Sequence, residues 1–280
     1  MAEVERVHRQ LPAGPDDWRK LAALTAIRLP TVHVVGLSGG QGAGKTTLAE
    51  LLIAAYHAVG ASCVSVSLDD FYLTREERRS LGLDVHPLLT TRGVPGTHDI
   101  ELAEVVLGAL LRGEVVALPR FDKGRDDRAP ETVWPAVGPN VDVVVFEGWC
   151  LGATPQPASQ LETPVNDLER SEDPSGVWRA FVNEASARYH PLWAMIDWWI
   201  YLEVPGMQAV RRWRAEQEQD LPVAERMSNA DLERFVQHYE RLTLWLKSQL
   251  PGHVDWLVKL GENHEIRGLQ ARSQTSSVFR

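Results

Sequence analysis

Gly39-Gly40-Gln41-Gly42-Ala43-Gly44-Lys45-Thr46 follows the apolar run Val32-His33-Val34-Val35-Gly36-Leu37 and precedes a helical pattern over 45–58. It meets the Walker A spacing GxxxxGK[ST] in full, with the strand before it and the helix after it that this motif requires. Glycines let the backbone bend around phosphate oxygens and turn its N–H groups inward. The helix N-terminus adds its positive dipole end. In such a cradle Lys45 reaches the β- and γ-phosphates and the Thr46 hydroxyl is a ligand for Mg²⁺. The expected nucleotide-binding set is Gly39, Gly40, Gln41, Gly42, Ala43, Gly44, Lys45, Thr46 and Thr47. A glycine turn without function is the bland alternative, and the complete spacing in context argues against it. The motif alone does not separate a kinase from a GTPase or a motor ATPase. A guanine-reading NKxD element is absent from the sequence, which favours ATP.

Outward from this loop, strands and helices alternate. Residues 62–68 read as a strand ending at Asp69-Asp70-Phe71-Tyr72, and Val141–Gly148 as the clearest buried strand. Further strands are expected at 115–118, 197–203 and 254–260, and helices at 16–28, 99–112, 176–190, 206–217 and 229–248. Residues 73–98 and 119–140 read as irregular, and the tail after Gly268 as frayed. The polar 152–176 stretch reads as a surface insertion, mobile in part. This order specifies a single α/β domain with a mostly parallel sheet flanked by helices. Residues 1–30 form a helical extension in front of it.

Ligands of parallel sheets bind beyond the carboxyl ends of the strands. Asp69 and Glu147 both end strands on the rim that carries the phosphate loop. Asp69 is the candidate to orient an acceptor hydroxyl and take its proton, with Asp70 as competitor and a turn-forming pair as the plain alternative. Glu147 is placed to bind Mg²⁺ through water or to orient the acceptor. The metal set is thus Thr46, Asp69 and Glu147. A transferring phosphoryl group needs cations. Arg120, Lys123, Arg125 and Arg128 form one cluster; Arg211, Arg212 and Arg214 form another after Pro205. A solvated basic surface is the competing reading for each. Arg92 and His98 lie in a loop whose Gly93, Pro95 and Gly96 imply a fixed shape. There Arg92 could meet an acidic acceptor, and Thr97 or Asp99 caps the next helix.

The 280 residues suffice for a sizeable core, and the formal charge of -9 argues against a nucleic-acid-coating protein. Cys63 and Cys150 sit in apolar runs without a CxxC pair, the pattern of free thiols in a reducing compartment. No apolar run is long enough to cross a membrane, and the N-terminus lacks a signal-peptide core. The cytoplasm is the expected location. Ten tryptophans, several late in the chain, are assigned to the core.

The runs GLSGGQGAGKTT, SLDDFYLT, HPLLTTRGVPGTHD, LPRFDKGRDDRAP and VVVFEGW together resemble the D-glycerate 3-kinase group of P-loop kinases, over about residues 31–267. More distant similarity reaches uridine kinase, phosphoribulokinase and pantothenate kinase. The resemblance implies a P-loop NTPase fold with a five-stranded parallel core, and a lid formed by the helix over 206–217. It implies ATP and Mg²⁺ as cofactors and an alcohol as phosphoryl acceptor, D-glycerate first. A sugar, nucleoside or pantothenate-like alcohol is the next choice. Asp69 matches the acceptor-activating aspartate, while Lys45, Arg212 and Arg214 act on the phosphates. Tyr72, Arg92, His98, Arg120 and Glu147 complete the expected acceptor contacts. Base contacts are sought around Glu262 to Arg267, from chain order. The competing class is a nucleotide-binding regulatory protein that uses ATP as a switch and has no acceptor. Neither reading involves nucleic acid or membrane, and the oligomeric state stays open.

Overall fold

Six consecutive buried residues, Val34–Gly39, form the first strand, and such continuous burial marks a strand covered on both faces. The computed structural model describes residues 1–219, 222 and 226–272. Among them lie ten strands: β1 (Val34–Gly39), β2 (Cys63–Ser67), β3 (Val116–Ala117), β4 (Phe121–Asp122), β5 (Asp127–Arg128), β6 (Ala136–Val137), β7 (Val143–Gly148), β8 (Trp198–Glu203), β9 (Trp256–Leu260) and β10 (Ile266–Ala271). The main sheet runs β10-β9-β8-β1-β7-β2. The five strands from β9 to β2 make four pairings, all parallel, as the resemblance implied. The sixth strand, β10, pairs antiparallel with β9. The frayed tail expected after Gly268 is thus placed too early: pairing continues to Ala271, and 273–280 lie outside the described residues.

Strand alternation sends side chains to two cores. Val35, Leu37, Val145, Ile200 and Leu202 face the helices Asp16–Arg28 and Lys45–Ala58, through Trp18, Leu48 and Tyr56. Val34, Phe146, Trp199 and Tyr201 face the other way, against Leu107, Trp193 and Tyr239. Trp193, Trp199 and Trp213 are fully buried, so these tryptophans are core residues. Both cysteines are free and buried, and burial pushes the Cys63 thiol up to about 12. No helix among the described residues is long and apolar enough to cross a membrane.

Three segments differ from the sequence expectation. A helix, Arg75–Asp84, interrupts the stretch read as irregular; Thr74 accepts from the Glu77 N–H while the Glu77 carboxylate accepts from Thr74, a capping box. The strand expected at 115–118 does not join the main sheet; β3 pairs with β6 in a separate two-stranded ladder. The 152–176 insertion is tied down by buried charge. Glu169, in the short helix Asp167–Glu172, is fully buried and accepts from Arg241 Nε and Nη2 at 2.7 and 2.6 Å. Asp173, also buried, pairs with Arg179 at 3.0 Å.

Candidate active site

Register brings the site together. Ser67 at the end of β2 sits level with Glu147 on β7, and Glu147 is level with Leu37 on β1. The chain leaves β1 into the phosphate loop on this rim, between β7 and β8, where ligands of open parallel sheets bind.

The loop takes its shape from two left-handed glycines, Gly42 at φ 72° and Gly44 at φ 84°. Gly44 precedes the helix Lys45–Ala58. A Cβ on Gly44 would stand 2.6 Å from the Trp18 ring, and one on Gly42 2.8 Å from Trp213 Cβ. Backbone conformation and space therefore both demand glycine. Lys45 Nζ donates to the Gly40 carbonyl at 3.2 Å. Burial lowers the pKa of that ammonium, opposed by the charges of Glu147 and Asp69.

A cleft of about 200 Å³ opens above the loop, lined among others by Gln41, Gly42, Lys45, Thr46, Asp69 and Glu147. Of the rest of the expected nucleotide set, Gly44 and Thr47 line an adjoining cavity, Gly40 anchors Lys45, Ala43 is fully buried and Gly39 closes β1. The adjoining cavity is walled by Trp18, Asn263 and His264. His264 Nε2 lies 2.7 Å from the Gly42 carbonyl oxygen, and its ring stacks on Trp213 at 4.1 Å. Trp18 Nε1–H donates to the His264 carbonyl at 2.8 Å, and the Ile266 N–H donates to Asp17 at 2.7 Å. The helix Asp16–Arg28 and the β9–β10 turn thus meet beside the phosphate loop.

The two carboxylates in the cleft are pushed in opposite directions. Burial raises the pKa of Glu147, partly opposed by Lys45. Burial also pushes Asp69 up, but the Lys123 ammonium, the Tyr72 hydroxyl and Lys45 outweigh it and hold the carboxyl below its usual value. Lys123 Nζ donates to Asp69 Oδ2 at 3.0 Å and Tyr72 Oη to Oδ1 at 2.9 Å. Asp70 faces elsewhere: it accepts from the Phe121 N–H at 3.0 Å and from Arg120 at 3.1 Å, fastening the β4 segment. Geometry thus separates the two aspartates, Asp69 lining the cleft and Asp70 holding the β4 segment.

Tyr72, Arg92 and Arg214 join Asp69 and Glu147 in the cleft wall. Arg92 pairs with Asp126 and lies over the Phe121 ring at 5.3 Å. Arg214 lies over the Phe235 ring at 4.9 Å and pairs with the buried Glu218. Three expected residues are not in that wall. Arg212 turns to Glu262 Oε2 at 2.9 Å, since residues two apart on a helix point to nearly opposite sides. Arg120 is held by Asp70. His98 is buried behind Tyr72, stacked at 4.5 Å, with Nδ1 2.7 Å from the Tyr189 hydroxyl. Burial lowers its pKa to about 4 and keeps it neutral. Asp99, rather than Thr97, caps the helix Ile100–Leu111.

Sequence reasoning passed over Trp149, Phe235 and Tyr239 as cleft residues, and left Lys123 inside a cluster. Trp149 Nε1–H donates to the Gly93 carbonyl at 2.9 Å and the Tyr239 hydroxyl to the Arg92 carbonyl at 3.2 Å, fixing the loop that presents Arg92. The signal available for Lys123 was its place in a turn rich in charge and glycine. Nothing in the pattern of the helix Asn229–Gln249 distinguishes Tyr239 from a core aromatic.

No protein-family model matches the chain. An uncharacterized kinase of Schizosaccharomyces pombe, mug58, is 36% identical over 218 residues, covering 74% of this chain and 78% of that protein. The chloroplastic D-glycerate 3-kinase of Arabidopsis thaliana is 34% identical over 221 residues; the match spans 74% of this chain and 46% of the plant enzyme. The solved structure of D-glycerate 3-kinase from Cryptococcus neoformans superposes with a TM-score of 0.75 at 25% identity, over 92% of this chain and 100% of that one. Fold, phosphate loop and relatives agree: the chain belongs to the D-glycerate 3-kinase group of P-loop kinases and is an ATP-dependent phosphotransferase.

Proposed function

We propose that the chain transfers the γ-phosphoryl group of Mg²⁺-ATP to an alcohol of a small acidic metabolite, with D-glycerate as first acceptor. One observation carries this reading: an ionised carboxylate, Asp69, shares a single cleft with Lys45 of the phosphate loop. A switch protein needs the loop but not such a carboxylate beside it. The names of the plant and fungal relatives supply glycerate itself.

Each residue then has a role. Asp69 accepts the proton of the acceptor hydroxyl as its oxygen bonds to the γ-phosphorus and the bond to the β-bridging oxygen breaks, releasing ADP. Lys123 and Tyr72 keep Asp69 charged and oriented. Lys45 and Arg214 face the phosphoryl oxygens, where developing charge is best stabilised. Arg214 sits on the helix Met207–Gln219, the lid of this reading. Arg92 pairs with the acceptor carboxylate. The base occupies the cavity of Trp18, Thr47, Asn263 and His264.

Among the described residues no three His, Cys, Asp or Glu side chains form a metal-holding group. Mg²⁺ is commonly held by one or two protein oxygens plus nucleotide phosphates. Thr46 and Glu147 suit that arrangement, because Glu147 is a buried carboxylate whose burial Lys45 offsets only in part. There the ion would neutralise phosphate charge.

The test is coupled ADP release with Mg²⁺-ATP against D-glycerate, L-glycerate, uridine, pantothenate and simple sugars, with Asp69→Asn alongside. Turnover on D-glycerate that is largely lost in the variant supports the reading. ATP binding without acceptor-stimulated ADP release would overturn it.

A further inference from the structure

A chamber of about 600 Å³ lies beside the phosphate cleft and shares Arg92, Arg214 and Phe235 with it. Arg75 and Arg79 line its outer part, with the hydroxyl-bearing Thr90 and Thr91. Asp69 and the phosphate loop are not in its wall.

Arg75 and Arg79 stand four residues apart on the helix Arg75–Asp84 and share one face. Arg78 turns inward from that helix and is 1% exposed. It donates to the Thr90 carbonyl at 2.8 Å and pairs with Asp126 at 3.0 Å. Asp126, the one acid lining the chamber among the described residues, also takes Arg92. Its charge is therefore met by two guanidiniums before any ligand arrives. Arg79 has no hydrogen-bond or ion-pair partner among the described residues. Arg92 is met by Asp126 and Arg214 by the buried Glu218, which leaves Arg75 and Arg79 as the chamber's two arginines without an ion-pair partner among the described residues.

We propose that this chamber is a second anion site that takes a phosphate monoester. A dianion with three acceptor oxygens matches several planar guanidinium donors and nearby hydroxyls better than a single carboxylate does. Its occupant draws on Arg92 and Arg214, which the cleft also uses, so binding there slows turnover without displacing ATP. The source is either the phosphorylated product leaving the cleft or another phosphorylated metabolite. The inference does not depend on which acceptor the cleft takes.

The experiment is calorimetric titration of the full chain, saturated with Mg²⁺ and the β,γ-imido analogue of ATP, at constant ionic strength. The analogue holds the phosphate loop, and dependence on Arg79, which lines the chamber and not the cleft, assigns the binding. One arm uses inorganic phosphate and the other 3-phospho-D-glycerate. Expected is binding that Arg79→Ala weakens about tenfold, the effect of losing one charge-assisted contact. Arg79 is exposed and unpaired, so the variant folds, and its turnover without added phosphate stays at the wild-type value. Tighter binding of the phosphoglycerate assigns the product as source; equal binding assigns a general phosphate monoester. The proposal is overturned if phosphate fails to bind the analogue complex, or binds Arg79→Ala as tightly as wild type. Calorimetry needs no turnover, so failure of the acceptor assay leaves this result readable.

Discussion

Replacing Lys123 with methionine keeps the aliphatic bulk and removes the ammonium 3.0 Å from Asp69 Oδ2. Burial pushes the Asp69 carboxyl up, and Lys123 is the largest of the groups that bring it below its ordinary value. At this separation Coulomb's law gives roughly 1.4 kcal/mol in a water-like dielectric and roughly 5.5 kcal/mol at an effective dielectric near 20. The Lys123 side chain is 63% exposed, so the screened figure is the better guide. The direction follows from the geometry. A carboxylate with a depressed pKa stays charged as pH falls, and removing its cation lets burial raise the pKa again. The acid limb of kcat/KM for acceptor-dependent ADP release therefore moves to higher pH in Lys123→Met. Ionisations of ATP and acceptor are common to both enzymes and cancel in the difference. Superposed limbs with only a lower plateau would refute the reasoning and make Lys123 a phosphate contact instead.

Other perturbations test the scaffold around the site. Gly44→Ala and Gly60→Ala both place a Cβ at positive φ, 84° and 88°, but only the first meets another residue, Trp18. Each loses about 1–2 kcal/mol from the backbone alone, and the thermal midpoint falls further for Gly44→Ala, with weakened ATP binding. Glu169→Gln leaves the Arg241 guanidinium buried with a neutral partner, and a drop of about 3–5 kcal/mol in urea unfolding is expected. Arg170→Ala, which breaks the exposed pair with Asp167, changes stability by less than about 1 kcal/mol. Burial holds the His98 pKa near 4, below its ordinary value of 6.5. Its contribution to stability is full above the unfolded value and is lost as pH falls from 6.5 toward 4, because the unfolded chain takes the proton first. The urea midpoint should fall across that window, and less steeply in His98→Asn.

Local chemistry made much of this fold legible. The strand, glycine loop and helix at 34–58 are encoded in adjacent residues, and β7 and β8 declare themselves by continuous apolar runs. Asp69 and Glu147 were found because strand ends in a parallel sheet share a rim. The capping box Thr74–Glu77 was present in the sequence but outweighed by the glycines and prolines around it. Residues placed by long-range packing were less visible. The roles of Tyr239 and Trp149 depend on contacts with Gly93 and Arg92, distant in the chain, and their apolar bodies look like core. Arg120, Arg212 and His98 carry suitable chemistry but are claimed by Asp70, Glu262 and Tyr189. Residue type announces capacity; only the partner found in three dimensions decides its use.

The hydrogen bond from Trp18 to His264 joins residues 246 positions apart, beside the phosphate loop. A ribosome releases these two ends at very different times. The sheet strands β1, β2 and β7 can pair while synthesis continues, yet the wall formed by Trp18, Asn263 and His264 stays open until β10 has emerged. A nascent or C-terminally clipped chain would carry an intact glycine loop and lack the enclosure beside it. The cavity beside the glycine loop is thus completed only by residues far downstream of the loop itself.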